Sequence, residues 1–288
     1  MKRNILIFFH IEKCGGTSLV NYFRNNLPFQ SCEALSKTNV LSYKEWQTTL
    51  KTYPNLKVIS GHNLNTNIIE WFTDAGFDVR SFTVLRDPLE RCISDYLHDR
   101  RKKTFEGSLD EYASIPWKQN YISKFLGHGD TDKAEIGIKK IQSLVHVKDS
   151  SNFIEREIVE IGHSITAPYT IANKATGILP DDVCVRHGVK IGKYSISHDS
   201  FELLRKYNQI DSAIWEEHLK RIDEVGEAPH HGIDYSDSNS PKDWALRKLA
   251  HIYRNAYFKP KMKIFSRHYS LPRNRSDPRK VSEIDAFS

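Results

Sequence analysis

Residues 5–19 read ILIFFHIEKCGGTSL: an apolar run, a Lys-x-Gly-Gly-Thr-Ser turn, and then the start of an amphipathic segment. The run has the composition of a buried strand, and the turn leads straight into a helix. Such a strand–turn–helix unit makes an anion site. Its glycines let the backbone turn tightly and approach a ligand, while the first N–H groups of the helix point outward without partners. Lys13 adds a full positive charge, and Thr17 and Ser18 add hydroxyl donors at the first helical turn. The backbone N–H groups of Cys14, Gly15, Gly16, Thr17 and Ser18 complete the set that would hold a phosphate or a sulfate. The arrangement differs from a nucleoside-triphosphate P-loop, in which the lysine follows the second glycine and precedes a magnesium-binding hydroxyl.

A second element lies at residues 82–98, FTVLRDPLERCISDYLH. Phe82–Leu85 reads as a buried strand, and Asp87-Pro88-Leu89-Glu90 as a helix start with proline first and an acid third. Leu89, Cys92, Ile93, Tyr96 and Leu97 recur at helical spacing and predict the core face. Asp87, Arg91, Ser94 and His98 fall on the other side. Arg86 then stands at a strand's C-terminal end with Ser94 on the helix beside it, a guanidinium and a hydroxyl suited to a second phosphate. Two anion sites after two strands predict a ligand carrying two separated anionic groups.

These elements resemble those of sulfotransferases that use 3′-phosphoadenylyl sulfate (PAPS). HIEKCGGTS is similar to the family's His-x-Pro-Lys-[Thr/Ser]-Gly-[Gly/Ser]-Thr-Ser loop, which binds the 5′-phosphosulfate, and RDPLERCISDY to its Arg-Asp-Pro-x-x-Arg-x-x-Ser-x-Tyr element, which binds the 3′-phosphate. In pattern the chain resembles most the carbohydrate sulfotransferases of the heparan sulfate 2-O-sulfotransferase type and their bacterial kin. SGHNL (60–64), NYISKFLG (120–127), LVHVKDSSNFIEREIVEIG (144–162) and NQIDSAIWEEHLKR (208–221) extend the resemblance, so that it covers roughly residues 5–225. The departures are Glu12 in place of proline and Cys14 in place of threonine or serine. Glu12 sets a negative charge beside an anion site unless its side chain turns away.

The resemblance implies a P-loop-like sulfotransferase fold, PAPS as co-substrate and a carbohydrate acceptor, which the cationic run 100–103 and the C-terminal cations would suit if it is acidic. In that reading Lys13 stabilises the charge that builds on the leaving phosphate. His62 follows Gly61 at the end of the second strand and is the general base, with Glu12 the second choice; His10 orients the loop from its strand end. No metal is expected, since no His/Cys/Asp cluster has ligand spacing. Two other functions stay open: a nucleotide kinase or phosphotransferase, which would need a magnesium-binding acid near the loop where only Glu12 is adjacent, and a PAPS-binding protein with impaired catalysis. A nucleic-acid-binding protein would need aromatic–basic interleaving or a recognition module, and none is evident.

Bulk properties agree with an enzyme. The 288 residues are 39% hydrophobic and 27% charged, with a net charge of +6 that favours anionic partners. Four cysteines without framework spacing point to a reducing compartment. NILIFFHI is too short to span a membrane and lacks a signal peptide's cleavage region, which leads to the expectation of a cytoplasmic, bacterial enzyme, or a Golgi-lumenal one had an N-terminal anchor been removed.

Alternating strands and helices predict an α/β protein, a mostly parallel sheet flanked by helices with ligands at the strands' C-terminal ends. Strands are expected at 5–11, 57–60, 81–85 and 144–147, and helices at 17–26, 88–102, 109–114, 150–161, 200–208 and 212–225. One domain would span 1–270, with an insertion at 163–197 over the nucleotide or acceptor cleft, a linker at 230–240 and a C-terminal helix at 241–258. That helix would bear Leu246, Leu249, Ala250, Tyr253 and Tyr257. Residues 271–288 would form a mobile tail.

Overall fold

The computed structural model describes residues 2–34, 40–171, 179–225 and 241–260, with the side chains of 223–225 and 241–243 left aside. In chain order the elements are β1 (Arg3–Phe9), α1 (Gly16–Asn26), β2 (Ser31–Glu33), α2 (Tyr43–Thr52), β3 (Val58–Gly61), α3 (Asn67–Asp74) and β4 (Phe77–Leu85). There follow α4 (Pro88–Arg101), α5 (Leu109–Ala113), α6 (Tyr121–Leu126), α7 (Ala134–Lys140), β5 (Ser143–His146) and α8 (Ser150–Glu160). A small hairpin, β6 (Val189–Ile191) and β7 (Tyr194–Ile196), precedes α9 (His198–Tyr207), α10 (Gln209–Val225) and α11 (Pro241–Tyr253), which continues as a π-helical turn to Phe258.

The first five strands form a parallel sheet in the order β2-β3-β1-β4-β5. Its centre is β1, whose Ile5–Phe9 are all buried, as a strand covered on both faces must be. Phe9 sits opposite Gly61 on one side and Thr83 on the other. The chain therefore leaves β1, β3 and β4 at one edge of the sheet, and β5 leaves there too, with Leu85 opposite His146. That edge carries the loops holding Lys13, His62 and Arg86.

The α/β architecture expected from the sequence is what the structure shows, with several differences in detail. Strand β4 begins at Phe77, four residues before the apolar run that announced it, because Asp78 and Arg80 lie toward the strand's start while Ser81–Leu85 are buried. Strand β2 and helices α2, α3 and α7 were not anticipated. Helix α9 begins at His198, two residues before the expected start, capped by Ser197, whose hydroxyl accepts from the Ser200 N–H at 3.0 Å. Asp87 caps α4 as expected, accepting from the Glu90 N–H at 2.8 Å. On α11 the expected core face is wrong in part: Ala250 and, beyond it, Phe258 are buried, whereas Leu246, Leu249 and Tyr257 are exposed. The expected linker (230–240) and tail (271–288) lie outside the described residues, as do Lys261, Lys263, Arg267, Arg273 and Arg275.

Two motif segments meet in a reciprocal cap. Asn120, in a left-handed conformation before α6, accepts from the N–H groups of Ile210 and Asp211 at 3.1 and 3.4 Å. Asp211, fully buried on α10, accepts in return from the N–H groups of Ile122 and Ser123 at 2.7 and 2.8 Å. Each helix start is satisfied by a side chain of the other. A second apolar cluster, with Leu89, Ile93, Tyr96, Tyr112, Val183, Ile196 and Leu204, packs the hairpin, α5 and α9 on α4.

Candidate active site

The loop from His10 to Gly15 is built by two left-handed residues, Lys13 (φ 67°) and Gly15 (φ 84°). Gly15 is the residue before α1 and no side chain caps that helix, so its first N–H groups remain for a ligand. Thr17 is exposed on the first turn, while Ser18 is buried. Cys14 lies beneath the turn: it is buried, its N–H donates to the Ile11 carbonyl at 3.4 Å, and its sulfur accepts from the backbone N–H of Arg86. Burial pushes its thiol up to about 12, so it is a packing group in a place where the resemblance suggested a ligand donor.

Lys13 is half-buried, and its ammonium makes no ion pair among the described residues. Burial lowers its pKa, opposed by the carboxylates of Asp95, Glu12 and Asp99 and assisted by Arg101. The side chain of Glu12 accepts a hydrogen bond from the Tyr121 hydroxyl. The acid next to the lysine is thereby tied to α6, while its charge still acts on Lys13. Beneath it, Arg91 is fully buried with its guanidinium 4.5 Å from the Tyr121 ring and 3.6 Å from Asp95. Arg91 and Asp95 thus belong to the interior, although helical spacing set Arg91 opposite the core face.

Arg86 joins the two anion elements. Its Nη1 donates to the Lys13 carbonyl at 3.2 Å, and Nη2 pairs with Glu90 at 2.5 Å. Tyr194 of β7 also hydrogen-bonds Arg86. A β-carbon on Gly192 would run into the Glu90 carboxylate, so the hairpin turn closes tightly over this pair. Ser94, half-buried, lies one helical turn beyond Glu90 on α4, and its hydroxyl forms no hydrogen bond among the described residues. The 163–197 segment therefore reaches Arg86 through its hairpin, with residues 172–178 outside the described set.

His62 stands where the register puts it, next to His10. Its Nδ1 lies 2.7 Å from the His10 carbonyl, which can only accept, so Nδ1 carries the proton and the neutral ring keeps its lone pair on Nε2. The two imidazoles overlap with centroids 3.8 Å apart. His98 of α4 lies on the side opposite the expected core face. It is half-buried, and burial lowers its pKa with help from Lys13 and Lys102, which places it within reach of the Lys13 charge. Of the residues that sequence reasoning missed, Tyr121, Tyr194 and His98 act through long-range contacts that no local spacing encodes, whereas Glu90 pairs with Arg86 only four residues away.

Among the described residues no group of three or more His, Cys, Asp or Glu could hold a metal, and no helix is long and apolar enough to cross a membrane.

Among solved structures, a sulfotransferase from Alicyclobacillus acidocaldarius is similar at 13% identity and a TM-score of 0.39, over 63% of this chain and 88% of that one. Mouse sulfotransferase SULT7A1 complexed with PAP is similar at 12% identity and a TM-score of 0.39, over 98% of this chain and 89% of that one. No curated protein sequence matches the chain. Residues 1–135, which contain the Lys13 turn, His62, Arg86 and Ser94, match the model of the Sulfotransferase family.

Proposed function

We propose that the protein is a PAPS-dependent sulfotransferase that moves a sulfuryl group to a hydroxyl, or an amine, of a carbohydrate acceptor. The observation that carries this reading is the Arg86–Lys13 contact, which brings the two anion elements together at one sheet edge with His62 alongside. The family match over residues 1–135 supports it. The uncapped start of α1 would hold the 5′-phosphate, with Lys13, Gly15, Gly16 and Thr17 nearest to it. Arg86 and Ser94 would hold the 3′-phosphate, Arg86 by exchanging its Glu90 partner for the stronger dianion.

In sulfuryl transfer the acceptor oxygen bonds to sulfur as the sulfur–oxygen bond to the phosphate breaks, and the acceptor proton leaves to a base. Lys13 stabilises the charge on the departing phosphate oxygen, and His62 Nε2 takes the proton. Four unpaired cysteines suit a reducing, cytoplasmic setting. The kinase alternative has one adjacent acid, Glu12, and that acid already accepts a hydrogen bond from Tyr121.

Calorimetric titration with adenosine 3′,5′-bisphosphate, with AMP and ATP plus magnesium in parallel, tests the reading. Magnesium-independent binding of the bisphosphate, at least tenfold tighter than AMP, is expected; Arg86→Ala should erase that preference. Preference for ATP with magnesium would replace the proposal with a phosphotransferase.

A further inference from the structure

The His10 ring touches both halves of the site. Its imidazole stacks on Phe8 at 5.2 Å and sits tilted against His62 at 3.8 Å. Its edge lies against the first residue of α1: a β-carbon on Gly16 would be driven into the imidazole. Gly16 has no positive φ, unlike Gly15. Residue 16 must be glycine because of this ring, since its own backbone conformation would accept alanine. His10 is 4% exposed, and its Nδ1 finds no partner, so no hydrogen bond of that atom explains a histidine here.

We propose that His10 is a positioning residue that couples the anion cradle to His62, so that the seating of α1's first turn and the aim of the His62 imidazole move together. The coupling is one of volume. The ring fills the gap between Gly16 and His62, its own carbonyl receives the His62 proton donor, and a displacement at either end must pass through it. Burial is the main cause that holds the ring neutral, and Lys13 and Arg24 act in the same direction. In this coupling His10 serves as a packing wedge.

The inference rests on the proposed reading of the loop and of His62, and a double-mutant cycle separates the two. Gly16→Ala, His10→Asn and the double variant are compared by calorimetry with adenosine 3′,5′-bisphosphate. The 15N imidazole signals of His62, which report its tautomer, are followed in histidine-labelled protein. Gly16→Ala alone should weaken bisphosphate binding about tenfold or more, as overpacking of a tight site does, and should shift the His62 tautomer signals. In the His10→Asn background the same methyl group enters vacated space. It should then cost less than about threefold and leave His62 unmoved relative to His10→Asn alone. Equal loss from Gly16→Ala in both backgrounds, or His62 signals indifferent to residue 16, would overturn the coupling. Should the wild type fail to bind the bisphosphate, the functional reading falls while the His62 signals still decide the coupling.

Discussion

Lys13 holds a left-handed backbone conformation that costs a lysine roughly 1–2 kcal/mol. Its side chain must repay that cost through function, because its ammonium forms no ion pair among the described residues. Lys13→Gly should therefore unfold about 1 kcal/mol later than Lys13→Ala in urea, while both lose sulfuryl transfer alike. Glu12 provides a second test at this scale. Tyr121→Phe removes the hydroxyl that ties Glu12 to α6, and bisphosphate affinity should fall two- to fivefold, on the order of a partly solvated charge pair. Adding Glu12→Gln should restore it; no recovery would place the loss in α6 packing. Lys13, Gly15 and Arg86 were legible in the sequence because their chemistry is local: a charge, a turn and a strand end. The partners of Glu12, Arg86 and Cys14 were not, since Tyr121, Tyr194 and the Arg86 backbone reach them only after folding.

Among the elements, α6 depends on a residue of another helix. Asp211→Ala leaves the N–H groups of Ile122 and Ser123 without their buried acceptor and should cost about 1–3 kcal/mol by chemical denaturation. Asn120→Gly keeps the left-handed turn but drops the return bonds, so it should cost less. On α10, His218 packs with Trp215 and, across it, His146 at the end of β5, with ring centroids 5.8 and 5.0 Å apart. Burial, then His146 and Arg221, bring the His218 pKa from 6.5 down to about 4. A depressed histidine is neutral in the fold and protonates first in the unfolded chain, so the stability it allows is complete above pH 6.5 and falls as pH drops toward 4. His218→Phe should flatten that acid decline by about 1–3 kcal/mol in a denaturation series across this window. Elements with long apolar runs were readable. Strand β2, which spans only Ser31–Glu33, offers no periodicity, and α2 buries Trp46 but otherwise threonines, so only its Ser42–Glu45 capping box marked it in the sequence.

For the whole molecule, a ligand that bridges the ends of β1 and β4 must stabilise the fold by mass action. Adenosine 3′,5′-bisphosphate at a hundredfold excess over its Kd should add about 2.7 kcal/mol, read as a rise in Tm that ATP with magnesium does not reproduce. The net charge of +6 was visible at once, but its placement was not: Arg100 spends its guanidinium on the carbonyls of Glu106 and Gly107, whereas Arg101 acts on Lys13 and Tyr194. The position of β1 at the centre of the sheet has a further consequence, for biosynthesis. It is the most apolar strand and precedes both of its neighbours, β3 and β4, in the chain. On a ribosome its Ile5–Phe9 segment waits for a first partner until residue 61 has been made and for its second until residue 85, the latter roughly 4–15 s at ordinary elongation speeds. During that interval it is a sticky nascent peptide that chaperones must shield, and slowed translation between residues 10 and 85 should lower the soluble yield without altering the finished protein.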